Sequence, residues 1–151
     1  MSEECWKRKK QLYKQYSGKC HDPNTPLHER VDQIKEWWDE DFKVISGEKL
    51  HRSQLVDIVQ DSSIYMRHGA DSLITFVKNQ AIPMLLVSAG IGDIVTTTMD
   101  WLYKQCGFEN PQNIDVISNM GSYEDDWLVE FSEPVVHIMN KKEYVKGHDL
   151  L

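Results

Sequence analysis

The sequence predicts an α/β fold, with a helical module over residues 1–68 and an α/β module over residues 69–151. Three observations predict it. Apolar residues recur at three- and four-residue spacing through much of the first half, the mark of amphipathic helices. A short continuous apolar run, Met84-Leu85-Leu86-Val87, follows Pro83 and reads as a strand buried on both faces. A glycine-containing turn, a helical pattern and a second apolar run, Ile114-Asp115-Val116-Ile117, come next. That order is the strand–helix–strand unit of a parallel sheet covered by helices.

The elements follow in order. Glu3 to Tyr16 reads as a charged helix with Trp6, Leu12, Tyr13 and Tyr16 as its apolar members, broken by Ser17-Gly18. His21-Asp22-Pro23-Asn24-Thr25-Pro26 is dense in turn formers, and Pro26 suits the first position of the next helix. That helix carries Val31, Ile34, Trp38, Phe42 and Ile45 and ends at Ser46-Gly47. Ser53 is a candidate N-cap for a short helix with Leu55, Ile58 and Val59. A further helix spans about Ala70 to Asn79. Beyond the first apolar run, Ile94, Val95, Met99, Trp101 and Leu102 form a helical pattern that Gly107 can cap. Trp127 to Phe131 alternates weakly, and Val135 to Met139 is another β-like run.

Composition narrows the function. With 151 residues, 40% hydrophobic and 27% charged, the chain is of the soluble globular kind and long enough for one core. No apolar run approaches the ~20 residues of a membrane span, and the start carries no apolar secretion signal. Three cysteines, Cys5, Cys20 and Cys106, are widely spaced without a CxxC pair, which fits a reducing, cytoplasmic setting. A net charge of -7 argues against nucleic acid as a partner. The basic cluster Lys7 to Lys10 reads as a solvated helix face.

The most informative stretch is Val87-Ser88-Ala89-Gly90-Ile91-Gly92-Asp93. A buried strand delivers its last residue to the carboxyl edge of the sheet, where open α/β folds bind ligands. Ser88 offers a hydroxyl there, and the small residues after it let a ligand approach the backbone. The next helix begins within a few residues, and its free N–H groups and positive dipole end favour an anion such as phosphate. The alternative is a strand–helix turn whose glycines only permit close packing.

Ser-Ala-Gly-Ile-Gly-Asp after an apolar strand resembles the second motif of the cytosolic 5'-nucleotidase III family, also called pyrimidine 5'-nucleotidases, of the haloacid dehalogenase superfamily. Ile34-Lys35-Glu36-Trp37-Trp38, Leu55-Val56-Asp57-Ile58-Val59 and Ala81-Ile82-Pro83 resemble three further landmarks of that family. Ile117-Ser118-Asn119 and His137-Ile138-Met139-Asn140-Lys141 resemble two later ones, in the family's order. The fold this resemblance implies is a haloacid dehalogenase-like three-layer Rossmannoid core, partial here, with a helical cap.

The resemblance implies hydrolysis of nucleoside 5'-monophosphates, pyrimidine ones foremost, to nucleoside and phosphate with Mg²⁺, through an aspartyl-phosphate. It implies Ser88 and Lys141 as catalytic and substrate-binding residues, with the Ala89 N–H beside Ser88 on the phosphoryl group. In the cap, Cys20 falls where relatives place a base-contacting glutamate. Asp41 falls at a cap-helix serine and becomes a candidate substrate contact. Trp37, Trp38 and Phe42 either stack on a base or pack as the apolar side of their helix.

The resemblance also implies what is expected to be missing. The superfamily's Asp-x-Asp-x-Thr strand belongs before the cap helices; Asp39-Glu40-Asp41 lies in a helical pattern and does not supply it. A later Gly-Asp-x-x-Gly-Asp belongs after Lys141, where Lys142-Glu143-Tyr144 and the closing Gly147-His148-Asp149-Leu150-Leu151 stand instead. The expectation is a chain without metal ligands, inactive alone, and poorly soluble because β-strand edges lie open. A relative that binds nucleotides or a protein partner without catalysis is the alternative.

Overall fold

A computed structural model describes residues 1–62 and 64–148. The helical module holds α1 (Glu3–His21), α2 (Leu27–Ser46) and α3 (Arg52–Asp61), and α4 (Ala70–Asn79) opens the α/β module. Then follow β1 (Met84–Ile91), α5 (Gly92–Gln105), β2 (Ile114–Asn119), a hairpin of β3 (Gly121–Glu124) and β4 (Trp127–Phe131), and α6 (Lys141–Lys146). The chain is an α/β protein, and among its described residues no helix is long and apolar enough to cross a membrane.

α1 begins at Ser2, whose side chain accepts the Cys5 N–H, with Glu3 and Glu4 in the first turn complementing the helix dipole. It does not stop at Tyr16. The helix runs through Ser17-Gly18 to His21 because Cys20 is buried with Leu12, Tyr16 and Ile34, and that packing outweighs the weak helix preference of one glycine. Pro26 sits one position before α2, as its N-cap. Ser53 is not the cap of α3. His51 takes that place in a capping box, its ring accepting the Ser53 N–H while the Gln54 side chain accepts the His51 N–H.

Three apolar clusters hold these elements. Leu12, Tyr16, Cys20 and Ile34 join α1 to α2. Phe42 and Ile45 of α2 meet Leu128, Phe131 and Val135, so the β3–β4 hairpin packs on the helical module. Phe42 and Phe131 stack with ring centroids 4.3 Å apart, a pair worth roughly 0.5–1.5 kcal/mol beyond its buried area. Ile74, Val77, Met99, Tyr103 and Ile114 join α4, α5 and β2.

β1 and β2 are parallel, in register from Met84 opposite Ile114 to Val87 opposite Ile117; the ladder then breaks and resumes at Ile91 opposite Asn119. β1 is half-buried along its whole length rather than buried on both faces, since β2 is its only ladder partner among the described residues. The strand also continues past Ser88 to Ile91. Val135 to Met139 is not a strand. The cis Glu133-Pro134 peptide precedes it, and side-chain amides rather than a ladder hold its backbone. Asp149, Leu150 and Leu151 lie outside the described residues.

Candidate phosphate-binding site

The break in the β1–β2 ladder is where the candidate site begins. Ser88, Ala89 and Gly90 together oppose Ser118 alone, so the chain bulges at the carboxyl end of β1. The Gly90 N–H donates to Ser88 Oγ at 3.1 Å, which fixes the direction of the hydroxyl. A Cβ on Gly90 would lie 3.3 Å from Ser88 Oγ and 3.4 Å from Val95, so the turn has little room for a larger residue.

α5 starts directly after the bulge, with Ile91 as an N-cap that has no side-chain acceptor for its first N–H groups. Those donors and the dipole they carry are available to an anion beside Ser88. Asp93, in the same first turn, is already engaged: Oδ2 accepts the Gly121 N–H at 3.0 Å. Gly92 serves packing. A Cβ there would collide with Met120 and stand 3.0 Å from the Asn119 carbonyl oxygen. Gly92 thus follows the close-packing reading of this glycine-containing turn, while Ser88 to Gly90 form the bulge that precedes α5.

Lys141 opens α6, and α6 packs on β1. The loop that delivers it is tightly tied. The His137 N–H donates to Asn140 Oδ1 at 2.7 Å, and Asn140 Nδ2 donates to the Val135 carbonyl at 2.8 Å. His137 is buried, and its Nδ1 accepts the Met139 N–H at 3.3 Å, which places the ring proton on Nε2. Burial pushes its pKa below the ordinary histidine value, and the nearby Asp39 and Glu143 charges oppose that only in part.

Asn119 was legible in the sequence only as part of a family landmark. It is completely buried, with Nδ2 within 3.0 Å of the Ala89 carbonyl, 3.3 Å of Gly90's and 3.0 Å of Val136's. Its Oδ1 accepts the Val136 N–H at 2.7 Å. Ser118 Oγ donates to the Gly90 carbonyl at 2.9 Å. Two side chains thus replace the ladder bonds that the bulge removes.

In the helical module, Asp41 lies on a cleft of about 280 Å³ lined by Lys9, Tyr13, Trp37 and Trp38. Its Oδ2 accepts from Lys9 Nζ at 2.5 Å, both side chains being mostly buried. Lys9 carried no signal in the sequence beyond its basic neighbours. Trp37 stacks on Tyr16 with centroids 6.3 Å apart, and Tyr13 meets it edge-on at 5.8 Å. Phe42 belongs to the core, and Trp38 packs against it while also facing the cleft. Cys20 is 5% exposed in the α1–α2 core with its thiol pKa raised by burial, so it presents no polar group to a ligand.

Mg²⁺ needs several oxygen ligands together. Among the described residues no group of three or more His, Cys, Asp or Glu side chains is placed to hold a metal ion. No metal-borne step is assigned to these residues.

Residues 1–149 match the family described as pyrimidine 5'-nucleotidase (UMPH-1). A 7-methylguanosine phosphate-specific 5'-nucleotidase of Gallus gallus is 29% identical over 146 residues, covering 96% of this chain and 49% of that protein. A putative cytosolic 5'-nucleotidase 3 of Caenorhabditis elegans is 32% identical over 124 residues, covering 82% of this chain and 32% of that protein. The crystal structure of cytosolic 5'-nucleotidase IIIB bound to cytidine superposes with a TM-score of 0.74 at 26% identity, over 91% of this chain and 44% of the other. The chain thus spans about half or less of the length of these relatives. Matched over residues 1–149, which take in the bulged β1 and the Asn140-Lys141 turn, this chain belongs to the pyrimidine 5'-nucleotidase (UMPH-1) family.

Proposed function

We propose that this chain forms the phosphate-holding and base-facing part of a 5'-nucleotidase site for nucleoside 5'-monophosphates, pyrimidine ones foremost. The observation that carries this is the bulge at Ser88: a hydroxyl fixed by the Gly90 N–H, immediately before an α5 N-terminus without a side-chain cap. In this reading Ser88 Oγ and the Ala89 N–H hydrogen-bond phosphoryl oxygens, and Lys141 neutralises their charge. In the same reading the cleft at Asp41, lined by Tyr13, Trp37 and Trp38, receives the base. Hydrolysis requires a nucleophile and a Mg²⁺ site beyond these residues, so the chain binds but does not turn over its ligand.

The test is calorimetric titration of the chain with CMP, UMP and 7-methylguanosine 5'-monophosphate, alongside Ser88→Ala and Lys141→Ala. Each substitution is expected to weaken binding about tenfold or more, as loss of a charge-assisted hydrogen bond does. Equal affinity in all three proteins would refute the assignment. Phosphate release by the unsubstituted chain with Mg²⁺, lost in Ser88→Ala, would refute its inactivity.

A further inference from the structure

Ser88 and Lys141 sit on different elements, and a phosphoryl group between them must find both in place. One side chain joins β1 to the loop that leads into α6. Asn119, at the end of β2, bonds backward to the Ala89 and Gly90 carbonyls of the bulge and forward to both backbone groups of Val136. We propose that Asn119 is a positioning residue that couples the direction of the Ser88 hydroxyl to the placement of Lys141. This rests on the reading that Ser88 and Lys141 hold the phosphoryl group.

The coupling follows from peptide geometry. In a trans peptide the carbonyl and the following N–H point in opposite directions. When Asn119 Nδ2 holds the Ala89 carbonyl toward β2, the Gly90 N–H must point away from β2, and there it donates to Ser88 Oγ. The amide therefore acts on the hydroxyl through a single peptide plane. On its other side Asn119 fixes both the N–H and the carbonyl of Val136. Asn140 next ties His137 and Val135, the two neighbours of Val136, and Lys141 follows directly. The path from hydroxyl to ammonium thus runs through hydrogen bonds and short backbone segments, with no exposed link at its centre, since Asn119 has 0% exposure.

Only an asparagine meets these demands at that distance. The site needs one acceptor and two N–H donors in a plane, shared among three carbonyls. A carboxylate in its place would face those carbonyls without a donor, and leucine would leave them and the Val136 N–H unsatisfied. A residue of purely structural value would satisfy the same bonds but would not respond to a ligand. That difference makes the proposal testable.

The experiment is NMR of the ¹⁵N-labelled 151-residue chain titrated with inorganic phosphate, on the unsubstituted protein and on Asn119→Asp, Ser88→Ala and Lys141→Ala. Phosphate is expected to shift the Gly90 amide and the Asn119 side-chain amide together and to slow hydrogen exchange at the Val136 N–H. Asn119→Asp is expected to raise the Kd for phosphate by about tenfold or more, in the range typical of groups that orient a binding residue. If Ser88→Ala and Lys141→Ala weaken phosphate binding while the Asn119 amide stays unmoved, the coupling is overturned and the phosphate site stands. If the unsubstituted chain binds no phosphate at Ser88, both are overturned. Should Asn119→Asp fail to fold, the Asn119 resonance and Val136 exchange of the unsubstituted chain decide the matter.

Discussion

Lys9 Nζ lies 2.5 Å from Asp41 Oδ2, and this contact bridges α1 to α2 on the wall of an aromatic cleft. At 22% and 15% exposure, neither charge is well served by water once the other is gone. Lys9→Met is expected to cost about 1–2 kcal/mol of stability, and Asp41→Asn a similar amount. The double substitution should cost less than the sum, with a coupling of roughly 1 kcal/mol in a chemical-denaturation cycle. Strictly additive losses would show that the contact does not contribute.

Gly92→Ala is expected to destabilise the chain by about 1–3 kcal/mol, the usual cost of forcing an atom into filled space. The added Cβ would meet the Met120 side chain and the backbone of Asn119 and Met120. Urea denaturation measures the loss, and an unchanged midpoint would contradict the close approach of α5 to β2.

Gly18→Ala should do the opposite. Gly18 lies within α1 and a Cβ there meets nothing within 4 Å. Removing a glycine from a helix interior contributes about 0.5–1 kcal/mol, read as a rise in the thermal midpoint.

His137 gives stability a defined dependence on pH. Burial lowers its folded pKa from the ordinary 6.5. As pH falls below that value the unfolded chain takes up a proton that the folded chain resists, so stability declines until the folded pKa is passed. His137→Gln keeps an acceptor for the Met139 N–H and cannot titrate. Its stability is expected to vary less across that window, in denaturation series at successive pH values.

Tyr123 should titrate late. Burial raises its pKa above the ordinary value of 10.0, and the adjacent Asp93 charge raises it further, while Arg52, stacked 4.1 Å from the ring centroid, offsets only part. Tyr16, Tyr103 and Tyr144 are raised as well, again chiefly by burial. Above pH about 10 the unfolded chain loses phenolic protons that the folded chain retains, so stability falls as pH rises. Tyrosinate absorbance during alkaline titration should show a late step that Tyr123→Phe diminishes.

Much of the architecture was legible in the sequence because it follows local rules. The periodic spacing of Ile34, Trp38, Phe42 and Ile45 marked α2, and the run Met84 to Val87 marked β1. Gly107, with φ +80, ends α5 as a C-terminal cap should. The reversals came where distant contacts overrule local preference. Gly18 did not end α1, since Cys20 had a core to enter. Val135 to Met139 has the composition of a strand, but its backbone partners are the amides of Asn119 and Asn140.

The candidate site divides the same way. By itself the sequence determined that a serine ends an apolar strand before a helix, and that a lysine follows much later, because residue type and chain order are local facts. Tertiary structure alone decided that Ser88 sits in a bulge, that Lys9 faces Asp41, and that Asn119 links Ala89, Gly90 and Val136. A hydrogen bond is set by distance in space, and Asn119 and Val136 are separated by a hairpin that no short window of sequence can close.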